Sequence, residues 1–533
     1  MFSAWNVVPH AISTVLSYEA ERRLRPEYWV GRRETYSART PASPLQYRVS
    51  AGREAGMPAL ALTYPCRVLA RIGDPRELAR TLGPQAGIEE VLDAVERRIE
   101  GLLASLPESE GGREDEEWLW AAPFLLDRLA DPEAFESFLG GVASAGTREE
   151  EDGEGGAASG FLAHVERLRH LHPADLGRRP ADLARTLARL AVAGPGVSAM
   201  RALALAVDQP DGTRESAELQ VPAFTVAEAL RSRLGRPESQ GAVRLAHPDS
   251  GLAYWRAALR YAVDGGLQAV LDEWVHVMRG GGGVSVPELA ESMASALALR
   301  TSVARANLYD GEDDLRLRTH LAMRFGRQIS ADEKNLDRED VVRRAFNSPF
   351  WPFVLATTSV GQEGLDFHSY CHAVVHWNLP GNPVDLEQRE GRVHRYQGHA
   401  VRKNVAAAYG AQVLREGPMD AWAGMFHQAA SARPPEMSEI NPAWVFPGGS
   451  AIQRIVPQHP LSRESARYRR LVRTVATYRL AFGQPRQEDL LRLVGEGAQG
   501  SGQPDLDWAR VNLEPGPKLV SGVQDPAPGD VIR

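Results

Sequence analysis

The stretch from Ala373 to His399 constrains the fold of this 533-residue chain more than any other. Ala373 to Trp377 is an apolar run that reads as a strand. A turn follows, Asn378-Leu379-Pro380-Gly381, and Asn382-Pro383 then opens a helix as N-cap and first-turn proline. Gln388 and Arg392 stand four residues apart, and Arg392 and Arg395 three apart, so all three project the same way if the helical turn continues. Gly391 breaks the helix or admits close backbone approach. Two guanidinium forks fixed side by side match the charge that builds on a phosphoryl group in flight. The chemistry implied is nucleotide hydrolysis.

The lysines decide how much of that chemistry one chain can hold. There are three, Lys334, Lys403 and Lys518, and none stands in Gly-Lys-Ser/Thr, so no phosphate-cradling P-loop can form. The run Gly280 to Gly283 lacks a following lysine and reads as a flexible linker. Asp115-Glu116-Glu117 and Asp272-Glu273 are not preceded by strands, so neither reads as a box for holding Mg²⁺. Composition is that of a soluble globular protein, 43% hydrophobic and 24% charged. With only Cys66 and Cys371 there is no disulfide framework, and a reducing, cytoplasmic compartment is expected. No apolar run reaches membrane-span length. A net charge of -8 argues against a uniformly basic nucleic-acid binder, so any such contact needs a local arginine face.

Along the chain, Met1 to Trp5 reads like the end of a buried strand, as expected of a truncated, split or mis-started gene. Val7 to Arg22 reads as a helix with Val8, Ile12, Val15 and Leu16 on one side. Residues 27–300 read as a helical insertion. Within it, the stretches Pro107 to Glu117 and Ala145 to Gly160 read as mobile acidic loops. Alternation from Leu315 to Phe325 predicts one strand with Arg316, Arg318, His320 and Arg324 on its open face. A helix over 338–346, a strand over 353–357 and the Ala373 strand then suit an α/β sheet whose loops at the strand C-terminal ends form the site. Residues 416–494 read as a helical extension and 495–533 as a disordered tail. In the extension Arg463, Arg467, Arg470 and Arg473 fall at helical spacing, either a solvated face or a strip for a nucleic-acid backbone. His372, His394 and His399 have no cysteine pair at ligand spacing, and no metal site is read from them.

The loop after the 353–357 strand, Thr357-Thr358-Ser359-Val360-Gly361-Gln362-Glu363-Gly364-Leu365-Asp366-Phe367, offers hydroxyls and backbone donors to phosphates. Together with Gln388-x-x-Gly391-Arg392-x-x-Arg395 it closely resembles motifs V and VI of superfamily 2 helicases. The nearest flavour is similar to the Swi/Snf-type translocases and bacterial RNA-polymerase-associated ATPases, and Phe2-Ser3 resembles the end of motif IV. The resemblance covers residues 1–25 and 300–415. It implies the second RecA-like lobe, a parallel α/β sheet, here carrying a large helical insertion. It also implies that Arg392 and Arg395 act as arginine fingers on ATP and Mg²⁺ bound by another lobe. Gln388, Glu363, Gly364 and Asp366 would meet nucleotide, while Thr357, Thr358 and Gly361 would meet nucleic acid, duplex DNA above all. Motifs I and II are absent, so a separate polypeptide carrying the P-loop half is the implied partner.

Overall fold

A computed structural model describes residues 1–24, 42–50, 53–108, 113–151, 155–207, 216–248, 251–280, 283–299, 302–306, 315–326, 334–358, 366–417, 420–435, 437, 439–458 and 462–482. Its α/β part is a parallel sheet. Helix α1 spans Val7–Leu24 and α2, near the end of the insertion, spans Leu267–Arg279. Then come β1 (Ser302–Ala306), β2 (Leu315–Thr319), β3 (Ala322–Phe325), α3 (Lys334–Phe346), β4 (Val354–Thr357) and β5 (Ala373–Val375). Helices α4 (Pro383–Gly391), α5 (His399–Glu416) and α6 (Ala421–Ser431) follow, with β6 (Gln453–Ile455) and α7 (Glu464–Phe482) last.

Strand β3 pairs in parallel with β4, and β5 in parallel with β6. The chain's first residues join the two pairs. Phe2 bridges Thr357 on one side and His376 on the other, both in parallel. Phe2 N donates to the Val375 carbonyl at 2.8 Å and Ser3 N to the Thr357 carbonyl at 3.0 Å, while Trp377 N donates to the Phe2 carbonyl at 2.9 Å. The spatial order is therefore β3, β4, residues 1–3, β5, β6. Residues 1–3 sit at the centre of the sheet, and Ala4 and Trp5 bend away into solvent. Phe2, Val374 and Val393 pack into one small core beneath it, and Phe325, Phe346, Leu355 and Phe367 into another.

Three elements depart from expectation. The alternation from Leu315 to Phe325 is two strands, because the chain bends at His320-Leu321: β2 pairs antiparallel with β1, whereas β3 joins the parallel sheet. His320 is buried at 3% exposure, so it does not share an open basic face. Helix α1 buries the side opposite to the apolar one: Pro9, Ser13, Thr14, Ser17 and Glu21 face inward while Val15 and Leu16 are exposed. Small side chains let α1 approach β3 closely, and Ser17 Oγ donates to the Ala322 carbonyl at 3.0 Å. The third departure is β6, a strand in a segment read only as helical.

The insertion folds around one large core that runs from Leu45 to Leu297. Arg201, 1% exposed, ties it together by donating to Gln268 Oε1 at 2.7 Å and to the Ala191 and Val192 carbonyls at 2.8 Å each. Ala145 to Gly160 is not a loop where it is described: helices Pro132–Glu151 and Gly155–Arg169 run through it. Pro107 to Glu117 is irregular in its described residues, and Asp115 pins it by accepting from Gly177 N at 3.0 Å. The tail from 495 to 533 lies outside the described residues. Among the described residues no helix is long and apolar enough to cross a membrane.

Candidate nucleotide and nucleic-acid site

Asn382 caps α4, its side chain accepting from Asp385 N at 2.8 Å, with Pro383 in the first turn. The helix ends at Gly391, yet the turn continues, since Val393 N and His394 N both donate to the Glu390 carbonyl at 3.0 Å. A Cβ at Gly391 would meet nothing within 4 Å, so the glycine marks the helix end rather than a close approach.

The two halves of the expected site meet here. Arg395 Nη2 lies 2.9 Å from Asp366 Oδ1, both side chains being partly exposed, at 38% and 51%. Phe367 N donates to the Arg392 carbonyl at 3.0 Å. The end of the loop after β4 is thus clasped to the arginine segment by one ion pair and one backbone bond. Arg392 is half-buried and Gln388 exposed on α4. The two threonines separate: Thr357 is 1% exposed and donates to the Thr358 carbonyl at 3.2 Å, whereas Thr358 is half-buried at the strand end. Gly361, Glu363 and Gly364 lie outside the described residues. The acidic groups have partners within the protein. Asp115 accepts backbone amides, Asp272 accepts from Gln268 Nε2 at 2.7 Å, and Glu273 accepts from Arg402 Nε at 2.8 Å. Among the described residues no group of three or more His, Cys, Asp or Glu side chains gathers as a metal site.

Residues 311–397 match the helicase conserved C-terminal domain. The chain carries a helicase C-terminal domain. RNA polymerase-associated protein RapA of Pseudomonas putida (strain W619) is 31% identical to it over 125 residues, 23% of this chain. That stretch spans 12% of the length of RapA. No solved structure matches the chain.

Several residues that hold the helicase domain's arginine segment carry no signal in the sequence pattern. Glu390, 2% exposed, receives both Nε and Nη2 of Arg454 on β6, the second at 2.8 Å. The buried His376 imidazole lies 3.4 Å from the same carboxylate. Arg389, also buried, sits over the Phe2 ring and donates to the Asn378 carbonyl at 2.9 Å. Arg402 Nη1 donates to the Gln397 carbonyl at 2.8 Å and Nη2 to that of Ser369. Of these, His376, Arg389 and Glu390 lie within the 373–399 stretch, and Arg402 and Arg454 lie beyond it.

The histidines make this region sensitive to acid. Burial, reinforced by Arg402, His372 and Lys403, pushes the His399 imidazole down to about 4. Burial also lowers His368 and His376. An unfolded histidine titrates near about 6.5, so below that pH the unfolded chain takes up protons that the native imidazoles refuse. Their contribution is whole above pH 6.5 and is lost as pH falls toward the native value. The thermal midpoint is expected to fall between about pH 7 and 5. For His399 alone the effect is about 1 kcal/mol, discounted for its partial exposure. Calorimetry of wild type beside His399→Gln checks it, and equal slopes would remove His399 as the cause.

Proposed function

We propose that this chain is the C-terminal motor half of a superfamily 2 ATP-dependent nucleic-acid translocase. The observation that carries the reading is the Asp366–Arg395 pair, which brings the end of the loop after β4 and the arginine segment to one partly exposed place. Arg392 and Arg395 would reach the γ-phosphate of ATP held across a cleft by another RecA-like lobe, Gln388 standing beside them. That lobe would supply the P-loop and Mg²⁺, since no Gly-Lys-Ser/Thr occurs in these 533 residues. ATP supplies the free energy, and closure of the lobes around it would move them along the nucleic acid. Arg395 is held by Asp366 at a pairing of low net worth, so exchange for a phosphate oxygen costs little. Thr358, at the same strand-end face, would meet the nucleic-acid backbone, with duplex DNA the expected substrate.

The test is reconstitution. Mixing the chain with a polypeptide bearing the P-loop half is expected to give ATP hydrolysis that duplex DNA stimulates and that neither polypeptide shows alone. A mixture that binds DNA but hydrolyses no ATP would count against the motor reading.

A further inference from the structure

Helix α7 has five arginines and one carboxylate in 19 residues, in a chain of net charge -8. Leu471 and Val475 bury one side of it against Leu379 and Leu386. That packing turns Arg467, Arg469, Arg470 and Arg473 to the exposed side, and Arg463, just before the helix, is exposed as well. Arg467 Nη2 donates to the Pro380 carbonyl at 3.0 Å, which fixes the helix to the turn after β5.

Between α7 and the sheet lies an open cleft of about 900 Å³, lined by Trp5, Trp377, Asn378, Pro380 and Arg467 among others. Trp5 is 61% exposed. The cleft's two carboxylates sit at helix starts: Glu464 begins α7, and Asp385, in the first turn of α4, is held by Asn382 Nδ2 at 3.1 Å. The strand order puts the features in a row across the C-terminal ends of the strands. Thr358 follows β4, Trp5 follows residues 1–3, Trp377 follows β5, and the arginine face comes next.

We infer that the α7 arginine face and Trp5 form a second nucleic-acid track, lying outside the matched domain and continuing the contact made at Thr358. Phosphates run along the arginines while Trp5 offers a surface on which a base stacks. From Arg463 to Arg473 a helix rises about 15 Å, roughly the length of four nucleotides of one strand. The inference rests on the nucleic-acid reading above, but it needs neither ATP nor a second lobe. Glu464 is the one carboxylate in the α7 sequence, so the helix as a whole is strongly positive beside the exposed Trp5.

The test measures binding of the full chain to a labelled duplex and a labelled single strand by fluorescence anisotropy, between about 50 and 200 mM salt. The triple variant Arg463→Gln, Arg470→Gln, Arg473→Gln is expected to bind about tenfold more weakly, with a salt slope shallower by about two to three. A control triple of exposed arginines elsewhere, Arg48→Gln, Arg97→Gln and Arg415→Gln, changes the net charge equally and is expected to keep the slope. Trp5→Ala is expected to weaken single-strand binding about tenfold. All seven side chains are exposed, so circular dichroism should show intact folds. Equal losses in both triples, an unchanged slope in the first, or full single-strand affinity in Trp5→Ala would each overturn the track. None of these results bears on hydrolysis by the reconstituted pair, whose failure would sink the motor and leave the track standing.

Discussion

Arg392→Ala together with Arg395→Ala is expected to slow DNA-stimulated ATP hydrolysis by the reconstituted pair about 10³- to 10⁵-fold, which is roughly 4 to 7 kcal/mol of barrier. The effect is large because the charge on a phosphoryl group in transit is spread over its oxygens, and a guanidinium fork meets two of them at once. Arg395→Ala by itself should hardly move stability. The pair that Arg395 makes with Asp366 is about half exposed and is worth under about 1 kcal/mol. A normal melting curve beside a collapsed rate therefore separates chemistry from folding. Arg395→Lys sharpens the test, since it keeps the charge and loses the fork; its rate should fall between wild type and the double variant. Full turnover in the double variant would falsify the finger assignment, whatever else the lobe does.

How much of this was legible in the sequence differs element by element. Strands β4 and β5 were, because each is a short apolar run that ends in a turn. Helix α4 was legible from Asn382-Pro383, whose capping bond forms as the residue types require. Helix α1 was legible as a helix but not as to its buried side. Its apolar residues drew the eye, yet close packing against β3 selects small side chains, and Ser17 serves the sheet edge better than Leu16 does. The 315–325 alternation misled for a different reason: a period of two survives a bend, so one pattern covered strands of two sheets.

The site was legible where chemistry is local and illegible where it is not. Asp366 and Arg395 are 29 positions apart, and in the sequence only likeness to known motifs links them. Glu390 and Arg454 are separated by 64 residues with no shared pattern, so nothing marked Arg454. Thr357 and Thr358 are chemically identical. Residues 1–3 pair beside Thr357 and bury it, while Thr358 lies just past the end of the strand and stays half-buried.

Arg402→Met should have the largest effect on structure, because Arg402 is 1% exposed and three different parts of the chain depend on it. Its guanidinium donates to Glu273 on α2, to the Gln397 carbonyl two residues beyond Arg395, and to the Ser369 carbonyl three residues beyond Asp366. It also lies over the Tyr370 ring at 5.2 Å. Gln397 needs the support, since its φ of 46° is costly for any residue but glycine. Methionine would fill most of the volume and satisfy none of the acceptors, a loss of about 3 to 5 kcal/mol by the measure of broken buried pairs. Unfolding of a chain with several cores need not be all-or-none. The sharper readout is therefore hydrogen exchange: amides of 397–402 are expected to lose protection in Arg402→Met while the core around Arg201 keeps it. Arg402→Lys should rescue little, because one ammonium cannot point at three separated oxygens. Glu273→Gln removes only the α2 arm and should cost less, leaving protection of 397–402 largely in place. If exchange there stays at wild-type levels in Arg402→Met, the insertion does not brace the arginine segment through this residue.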